Sequence, residues 1–472
     1  MTARRSGAAH GAVLGQVGGS AGAGSKRPLV GAASGAVSGG EPALAVMAGE
    51  PASQATIRRT NLALVLRALA THGSRSRADL AAVTGLNKAT VGNLVGELEA
   101  RGLARTGLAE RGGVGRPGQV VGLDGRQVFG VGVEINVDYL SVLVVDLGGA
   151  VRVDERLAMN VPALGPELVL DRMAGVIADA VATLEAGGGV IVGVSIAIPG
   201  LIDVAAGLLR FAPNIGWRDV PVADALRARL GYPGYPIRVD NDANLSAVAE
   251  FVVGDDSGIG DLLYLTGEVG VGGGVIVGGR LMRGANGFSG EFGHMPLDPA
   301  GHLCGCGRRG CWETMVGLAA LLRAAATPDD MVRDPALDLG QRLAEIARRG
   351  EAGDDRTLRA LDQIGAALGL GASLLVNLFD PSVLVLGGYF AFFGHYLLEP
   401  VGVALRSGVI GADAGRCRVA VSSLGFTAAA RGGALVALEA VLDDPTTVAF
   451  RAEAADPRAA AAPAHSLTGQ PA

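Results

Sequence analysis

The chain has 472 residues, of which 49% are hydrophobic and 18% are charged, and its formal net charge is −6. This length suits about two to four domains with a large core, and with only 4 cysteines it excludes a disulfide-stapled scaffold. The sequence shows no apolar run of about 18 residues and no compact apolar segment near its N-terminus, so we expect no membrane span, no secretory signal and a cytoplasmic location.

The sequence pattern divides the chain into four segments. Residues 1–55 and 452–472 are rich in small residues and Pro, without helical or strand periodicity, so we predict that both termini are disordered. Residues 56–122 show helical patterns followed by a basic hairpin. Residues 126–448 alternate β-branched strands with Ala- and Leu-rich helices, which predicts an α/β architecture.

Charge is concentrated in the second segment. Residues 57–118 contain ten basic and four acidic residues, a net charge of +6, which leaves about −12 for the rest of the chain. A basic segment attached to an acidic body predicts an anionic partner for that segment alone.

The order of helix signals in the basic segment predicts a helix-turn-helix. Apolar residues at helical spacing run through residues 57–72. Ser76 and Asp79 have the spacing of a capping box, which opens a short second helix, and Asn87 is a suitable N-cap for a third helix. Two short helices across a Gly-containing turn are typical of this motif.

The third predicted helix and the loop that follows it carry side chains suited to DNA. In a helix-turn-helix the second helix of the motif enters the major groove by its N-terminal end. The Gly- and Arg-rich loop at residues 111–118 predicts a wing at phosphates or in a minor groove. A plain three-helix packing module is the alternative, but the basic excess and the turn chemistry favour DNA binding. The residues that we predict to contact DNA are Arg77, Asn87, Lys88, Thr90, Asn93 and Arg116.

An acidic and amide-rich string at residues 239–244 follows a strand-like segment and precedes a helix. A carboxylate at a strand end, such as Asp242, can hold and deprotonate a sugar hydroxyl. The alternative is that Asp242 or Asn244 simply caps the following helix. The glycines at residues 270–274 lie between two strand-like segments and predict a turn that can approach a phosphate, although such loops are weak evidence alone.

Three cysteines within eight residues, Cys304, Cys306 and Cys311, predict a metal site in a reducing compartment. Zinc takes four ligands in a tetrahedron, and Cys3His is a common structural set. His294 and His302 compete for the fourth position, and we favour His294 because His302 is too close to Cys304 in sequence to converge easily. Three free buried thiols are the alternative.

Four separated motifs together resemble the ROK family, which groups bacterial repressors, open reading frames and sugar kinases. They lie at residues 197–200, 241–244, 290–294 and 304–313, and the resemblance covers roughly residues 57–445. It implies a winged helix-turn-helix followed by a two-lobed, actin-like (ribonuclease-H-like) domain with a cleft, whose C-terminal helix returns to the first lobe.

The resemblance also implies roles for individual residues. In kinases of the family, the aspartate matching Asp242 is the general base, and the histidine matching His294 joins the three cysteines on a structural zinc that orders the sugar site. Here this implies zinc on His294, Cys304, Cys306 and Cys311. The residues implied to contact the sugar are Asn214, Asn241, Asp242, Glu291, His294 and Glu313.

The nucleotide side departs from the kinase pattern. Kinases of the family have Asp-x-Gly-Gly-Thr where residues 134–138 read Glu-Ile-Asn-Val-Asp, and Gly-Thr-Gly where Glu268 begins the second turn. Asp138 and Glu268 each place a negative charge beside the expected position of the triphosphate, and each such charge weakens nucleotide binding by on the order of 1 kcal/mol. We therefore predict poor Mg-ATP binding and no enzyme activity, with the sugar half retained.

These features predict a transcriptional regulator, most simply a repressor, that binds operator DNA and responds to a sugar or a sugar phosphate. We expect a homodimer or homotetramer. The alternatives are an active sugar kinase that carries a DNA-binding head, suggested by the retained Asp242, and a zinc-dependent hydrolase. The hydrolase is disfavoured because a zinc with four protein ligands has no open position for catalysis.

Overall fold

The structure is a computed structural model. It describes residues 53–108, 119–254, 259–334, 337–411 and 417–451. Nearly all of the two termini predicted to be disordered lies outside these residues, and so does the loop that carries Arg116.

The described residues form the following elements. The helices are α1 (Gln54–His72), α2 (Arg77–Thr84), α3 (Lys88–Ala100), α4 (Val161–Ala186), α5 (Val222–Arg229), α6 (Asp242–Val253), α7 (Glu313–Val316), α8 (Leu318–Ala325), α9 (Leu339–Glu351), α10 (Asp355–Phe379), α11 (Gly388–Phe392), α12 (Gly394–Gly408) and α13 (Ala428–Asp443). The strands are β1 (Ala104–Leu108), β2 (Gln119–Leu123), β3 (Val128–Ile135), β4 (Tyr139–Asp146), β5 (Val151–Ala158), β6 (Val190–Ile198), β7 (Leu201–Asp203), β8 (Leu208–Ala212), β9 (Trp217–Val220), β10 (Ile237–Asn241), β11 (Leu262–Gly267), β12 (Val271–Val277), β13 (Arg280–Leu281), β14 (Val383–Gly387) and β15 (Arg418–Val421).

Helices α1–α3 and the antiparallel pair β1–β2 form the head. The capping box predicted at Ser76 and Asp79 is confirmed, because the Ser76 hydroxyl accepts a hydrogen bond from the Asp79 N–H at 3.1 Å and the Asp79 carboxylate accepts one from the Ser76 N–H. The predicted Asn87 cap is also confirmed, since its side chain accepts from the Thr90 N–H at 2.8 Å. These caps fix the start of both helices of the helix-turn-helix.

The remaining elements form the body, which has two lobes around two five-stranded mixed sheets. The first lobe contains the sheet β10-β6-β3-β4-β5 and the small sheet β7-β8-β9, and the second contains the sheet β13-β12-β11-β14-β15. In each large sheet an antiparallel hairpin, β3–β4 or β11–β12, is continued by parallel strands. The turns of these two hairpins belong to opposite lobes, and both line the cavity described below.

The glycines at residues 270–274 are not a turn as predicted, because Gly272 and Gly274 lie inside strand β12. Helix α6 packs directly on this strand. A Cβ atom on Gly272 would lie 2.9 Å from the Ala243 Cβ, and one on Gly274 would lie 2.6 Å from the Ala247 Cβ. The glycines therefore allow a helix to approach a sheet closely, and only residues 268–270 form the turn.

Helix α13 joins the head to the body. It packs on strands β3 and β6 of the first lobe and on α6, and its apolar residues share a hydrophobic core with those of α1 and α3. The Arg67 guanidinium of α1 forms ion pairs with Glu439, at 2.5 Å, and with Asp443. Arg101 of the head donates a hydrogen bond to the Val448 carbonyl at 2.6 Å. The head is thus docked on the C-terminal helix through both apolar and charged contacts.

Among the residues that the structure describes, two helices are long and apolar enough to cross a membrane, Asp355–Phe379 and Gly425–Asp443. Of their most apolar windows, 56% and 67% respectively are buried inside the protein. The first packs against α8 and α12 and the second against α6 and β3, so the core that they occupy accounts for their apolar character.

Candidate functional site

A cavity of about 230 Å³ opens between the two lobes. Segments far apart in sequence contribute to its wall: the loop after β8, the junction of β10 with α6, the region before the cysteine cluster, and the start of α7. The structure brings all six residues implied to contact the sugar to this one wall. They are Asn214, Asn241, Asp242, Glu291, His294 and Glu313.

The junction of β10 with α6 presents the acidic string to the cavity. Asn241 caps α6 by accepting a hydrogen bond from the Asn244 N–H at 3.1 Å, and its amide donates to the Gly200 carbonyl at 3.1 Å. The suggested cap by Asp242 or Asn244 is therefore wrong, because the preceding residue holds that position. Asp242 is free to face the cavity, and burial raises the pKa of its carboxyl to about 6. Such a group accepts hydrogen bonds from hydroxyls and can act as a base near neutral pH.

Asp240 has a role that the sequence analysis missed. Its carboxylate lies 2.6 Å from Nη2 of Arg283, and its Oδ1 accepts from Nη1 at 2.9 Å. Asp240 belongs to the first lobe and Arg283 follows β13 in the second, so this ion pair joins the two lobes next to Asn241 and Asp242. The Asp-Asn-Asp string contains the aspartate, but nothing local to it indicates a partner 43 residues away.

Four side chains converge on a candidate metal centre. The ligand atoms of His294, Cys304, Cys306 and Cys311 all lie within 4.8 Å of one another. The Cys304 Sγ lies 3.6 Å from the His294 Nδ1, and the Cys306 and Cys311 Sγ atoms are also 3.6 Å apart. Zinc–sulfur bonds of ~2.3 Å in a tetrahedron separate two sulfurs by about 3.8 Å, so the spacing fits such an ion. His302 is exposed and is not part of the cluster.

Two of the cavity carboxylates lie against the metal cluster. Glu313 lies 3.4 Å from the Cys304 Sγ and accepts a hydrogen bond from the Val271 N–H at 3.1 Å. Glu291 lies 3.7 Å from the His294 Nε2. Residues that face the cavity therefore lie directly beside residues that would hold the metal, where the order of the one can affect the other.

On the opposite side of the cavity, Glu134 of β3 is buried beneath the first turn. Its Oε1 accepts hydrogen bonds from the Tyr139 hydroxyl at 2.5 Å and from the Asn136 amide at 3.2 Å. The same amide donates to Glu268 in the second turn. Loss of hydration raises the pKa of Glu134 to about 7, and together with the nearby Glu134 charge it raises the pKa of Glu268. Asp138, predicted to add charge here, does not line the cavity, whereas Asn136 and Glu268 do.

Of the residues predicted to contact DNA, those at the start of α3 are accessible, whereas Arg77 is bonded within the head. Asn87, Lys88 and Asn93 are exposed and Thr90 is half-buried, all in the first turns of α3 or at its cap. Arg77 points back into the head, where it donates to the Thr106 hydroxyl at 3.1 Å. Arg116 lies outside the described residues.

Comparison with known proteins then assigns both parts of the chain. The sequence pattern of the ROK family matches residues 130–440, and that of the MarR family matches residues 63–113. The chain belongs to the ROK family. It is 30% identical over 393 residues to the xylose repressor of Bacillus spizizenii, an alignment that covers 83% of this chain and 98% of the relative.

Two crystal structures support the fold. A ROK family transcriptional regulator, a homologue of the E. coli MLC protein, matches with a TM-score of 0.65 and 23% identity over 82% of this chain and 97% of its own. A ROK glucokinase from Streptomyces griseus, in complex with glucose and AMPPNP, matches with a TM-score of 0.55 and 32% identity over 66% of this chain and 99% of its own.

These similarities confirm the predicted architecture, a winged helix-turn-helix followed by a two-lobed actin-like body. With this head and this body, the chain has the make-up of a sugar-responsive transcriptional repressor. Because the similar proteins include kinases as well as repressors, membership of the family leaves open what the cleft does with a sugar.

Proposed function

We propose that the protein represses transcription by binding operator DNA through the head, and that it releases the operator when a sugar enters the cavity between the lobes. One observation carries this proposal. The head is docked on α13, α13 packs on α6, and α6 begins with Asp242 in the cavity wall. A packed path therefore connects the candidate sugar site with the candidate DNA-reading surface.

In the head, we assign contacts with base edges and phosphates to the exposed start of α3, with Lys88 at a phosphate. Lys88 and Asn93 are exposed there, and the Asn87 amide nitrogen is not needed for its cap, which uses the side-chain oxygen. Thr90 suits a phosphate or a base edge. Arg116 is assigned to the wing. Arg77 is assigned a phosphate contact that requires it to leave its partner Thr106.

In the body, we assign the sugar to the wall formed by Asn214, Asn241, Asp242, Glu291, His294 and Glu313. Hydroxyl groups can donate to these carboxylates and amides, and a small polar cavity suits a monosaccharide or its phosphate. D-Xylose is the first candidate because a relative similar over most of its length is a xylose repressor.

We propose that His294, Cys304, Cys306 and Cys311 hold a structural zinc ion. Three thiols and one imidazole are a set that zinc prefers, and their spacing fits a tetrahedron. When bound, the ion would supply a cross-link that holds Glu291 and Glu313 in the cavity wall. With four protein ligands it has no open position for catalysis.

We propose that the repressor acts in the cytoplasm as a homodimer or homotetramer, because operators of helix-turn-helix proteins are commonly read by two heads. One face of α10 supports association, since Leu370, Leu374 and Leu378 are 48%, 41% and 72% exposed at helical spacing. Two heads would read half-sites ~34–36 Å apart or a multiple of that distance. Sedimentation of the wild type and of a Leu374→Lys variant tests this assembly.

The second candidate function is a sugar kinase, which the buried Asp242 in the cavity favours. We propose that this activity is absent. On the side where phosphates would lie, the Asn136 amide N–H groups are already hydrogen-bonded to Glu134 and Glu268. Sugar-dependent release of ADP that an Asp242→Asn variant lacks would contradict the proposal.

Gel mobility of DNA from the region upstream of the gene tests the proposed function. Purified protein is mixed with this DNA and with a panel of sugars and sugar phosphates that begins with D-xylose and D-glucose. A shift that one compound reverses is the expected result. A shift that no compound changes would contradict the inducer part of the proposal, and no shift at low salt would contradict the operator part.

A further inference from the structure

The two hairpin turns at the cleft are joined by a hydrogen bond between side chains. Asn136 directly follows β3 in the first lobe, and Glu268 directly follows β11 in the second. The Asn136 amide nitrogen donates a hydrogen bond to the Glu268 carboxylate across the cleft. Both residues line the cavity that we assign to the sugar.

The first-lobe side of this contact is fixed in place. Asn136 is 4% exposed, and its side-chain oxygen accepts a hydrogen bond from the Val137 N–H at 2.7 Å. Its nitrogen also lies 3.1 Å from the Tyr139 hydroxyl and 3.2 Å from Glu134. Because these neighbours hold its amide, Asn136 keeps one orientation, in which its N–H can donate to Glu268 of the other lobe. Hydrogen bonds of this kind are stronger in a buried setting than in water.

The chemistry of this contact needs a donor between two acceptors. Glu134 and Glu268 lie on either side of the Asn136 nitrogen, and the amide is the group that satisfies both. The second oxygen of Glu134 has no hydrogen-bond partner among the described residues. Replacing the amide with a carboxylate would therefore remove the N–H donor that Glu134 and Glu268 share and weaken the contact between the turns.

A second contact joins the lobes next to Asn241 and Asp242. There the ion pair between Asp240 and Arg283 joins the first lobe to the second. The two lobes are thus held together by an ion pair, whose residues do not line the cavity, and by an amide–carboxylate hydrogen bond between two residues that do.

We propose that Asn136 and Glu268 are positioning residues that close the two lobes around the sugar, so that the effector is bound without a nucleotide. The proposal rests on the proposed function only in taking a sugar as the effector. It assigns the side of the cleft opposite the sugar residues to lobe closure.

Four forms of the full-length protein test the bridge: the wild type, Asn136→Asp, the double variant Asn136→Asp with Glu268→Gln, and the control Asp138→Asn. The single variant removes the donor. The double variant places the donor on the other lobe, so that Asp can accept from Gln. The control, Asp138→Asn, removes a charge from the same turn after β3 without changing the bridge, that is, the contact between Asn136 and Glu268. Calorimetric titration with D-xylose and D-glucose gives the sugar Kd, and small-angle X-ray scattering with sugar gives the radius of gyration.

We expect the wild type to bind one of the two sugars with the same Kd with and without Mg-AMPPNP. Asn136→Asp should weaken sugar binding by about tenfold and raise the radius of gyration, because the hydrogen bond across the cleft is lost. The double variant should recover part of the affinity and of the smaller radius, because it restores the contact across the cleft but not the one to Glu134. A merely structural role would not produce this recovery. The control should match the wild type.

Wild-type affinity and radius in Asn136→Asp would overturn the proposal, and so would wild-type sugar binding that needs the nucleotide. Failure of the double variant to recover any affinity while it remains folded would also overturn it. If no sugar releases the operator from the wild type, the proposed function fails instead. The radii of the variants without sugar then still report on the bridge, with equal radii against it.

Discussion

The two sides of the cleft share one architecture and differ in what their polar groups do. On the sugar side, Asp242, Glu291 and Glu313 present oxygens to the cavity, and their positions are set from behind by α6 and the metal cluster. On the opposite side, Asn136 and Glu268 use their hydrogen-bonding capacity on each other. The two sides differ in the partners of their polar groups and not in their architecture, so the fold alone does not decide the function.

Loss of the metal site should have the largest effect on sugar binding, because it affects the sugar side of the cleft alone. We expect Cys306→Ser to lose zinc and to weaken sugar binding by roughly 100-fold, because the cluster positions both Glu291 and Glu313, at ~1.4 kcal/mol for each lost contact. The head should still bind operator DNA without sugar. Metal analysis and titration with the sugar measure both effects.

Cys417→Ser is the matched control, since Cys417 is a free thiol outside the cluster. It should keep zinc and the sugar response. A zinc-free Cys306→Ser protein with a normal sugar response would show that the cluster does not order the sugar side.

Variants of the head should change DNA binding and leave both sides of the cleft unaffected. We expect Lys88→Ala and Arg116→Ala each to weaken operator binding by about tenfold, with the slope of affinity against salt reduced by about 1 for each lost phosphate contact. Fluorescence anisotropy at several salt concentrations measures both quantities. Arg210→Ala, on the body surface, is the control. Unchanged operator affinity in both variants would mean that the recognition helix and the wing are wrongly assigned.

The contact between head and body should carry the signal from the sugar side. Arg67→Ala removes the partner of Glu439 and Asp443. In the wild type, sugar lowers operator affinity by some factor. We expect this factor to be about 5- to 10-fold smaller in Arg67→Ala, a change within the usual range of allosteric coupling. Operator titrations with and without sugar measure it. Arg59→Ala, which removes a looser pair of 3.7 Å with Asp444, should leave the factor nearly unchanged. An equal loss in both variants would argue against a specific path through α13.

The last prediction concerns the stability of the bridge side and not ligand binding. The pKa of Glu134 is raised from 4.5 to about 7 in the folded protein, chiefly by burial. Between these values the folded state keeps a proton that the unfolded state has lost, so this group's contribution to stability falls as pH rises from 4.5 and is fully lost above about 7. The free energy of unfolding of the wild type should therefore fall by about 1–3 kcal/mol between about pH 5 and about pH 8 through this group, and Glu134→Gln should not show this fall. Thermal unfolding across this pH range measures the effect, and Glu155→Gln, at an exposed glutamate, is the control. If Glu134→Gln and the control both kept the wild-type dependence of stability on pH, the assignment would be wrong.

Local signals made the head and the sugar side predictable. Capping at Ser76 and Asn87 is decided within three residues, and the structure has both caps. The residues that we assign to the sugar lie in one cavity wall, and the motifs of the family point to them from the sequence. The metal cluster is compact in sequence, apart from the choice of histidine.

The remaining features depend on contacts that no local pattern encodes. The bridge joins residues 132 positions apart. Asp138 was wrongly expected in the cleft because the turn after β3 breaks the alternation of side chains that a strand would continue. The glycines of β12 were taken for a turn because the helix that packs on them lies about 30 residues earlier, and their need for space is visible only once α6 is in place.

Release of the operator by sugar, measured with and without a nucleotide, tests the central claim most directly. Labelled operator DNA bound to the full-length protein is titrated with the sugar that reverses the gel shift, in the presence and absence of Mg-AMPPNP, while anisotropy is followed. We expect the same midpoint of release in both titrations. A release that requires the nucleotide, or a midpoint that shifts by about tenfold when it is added, would show that the side of the cleft opposite the sugar residues still binds nucleotide and would contradict the account.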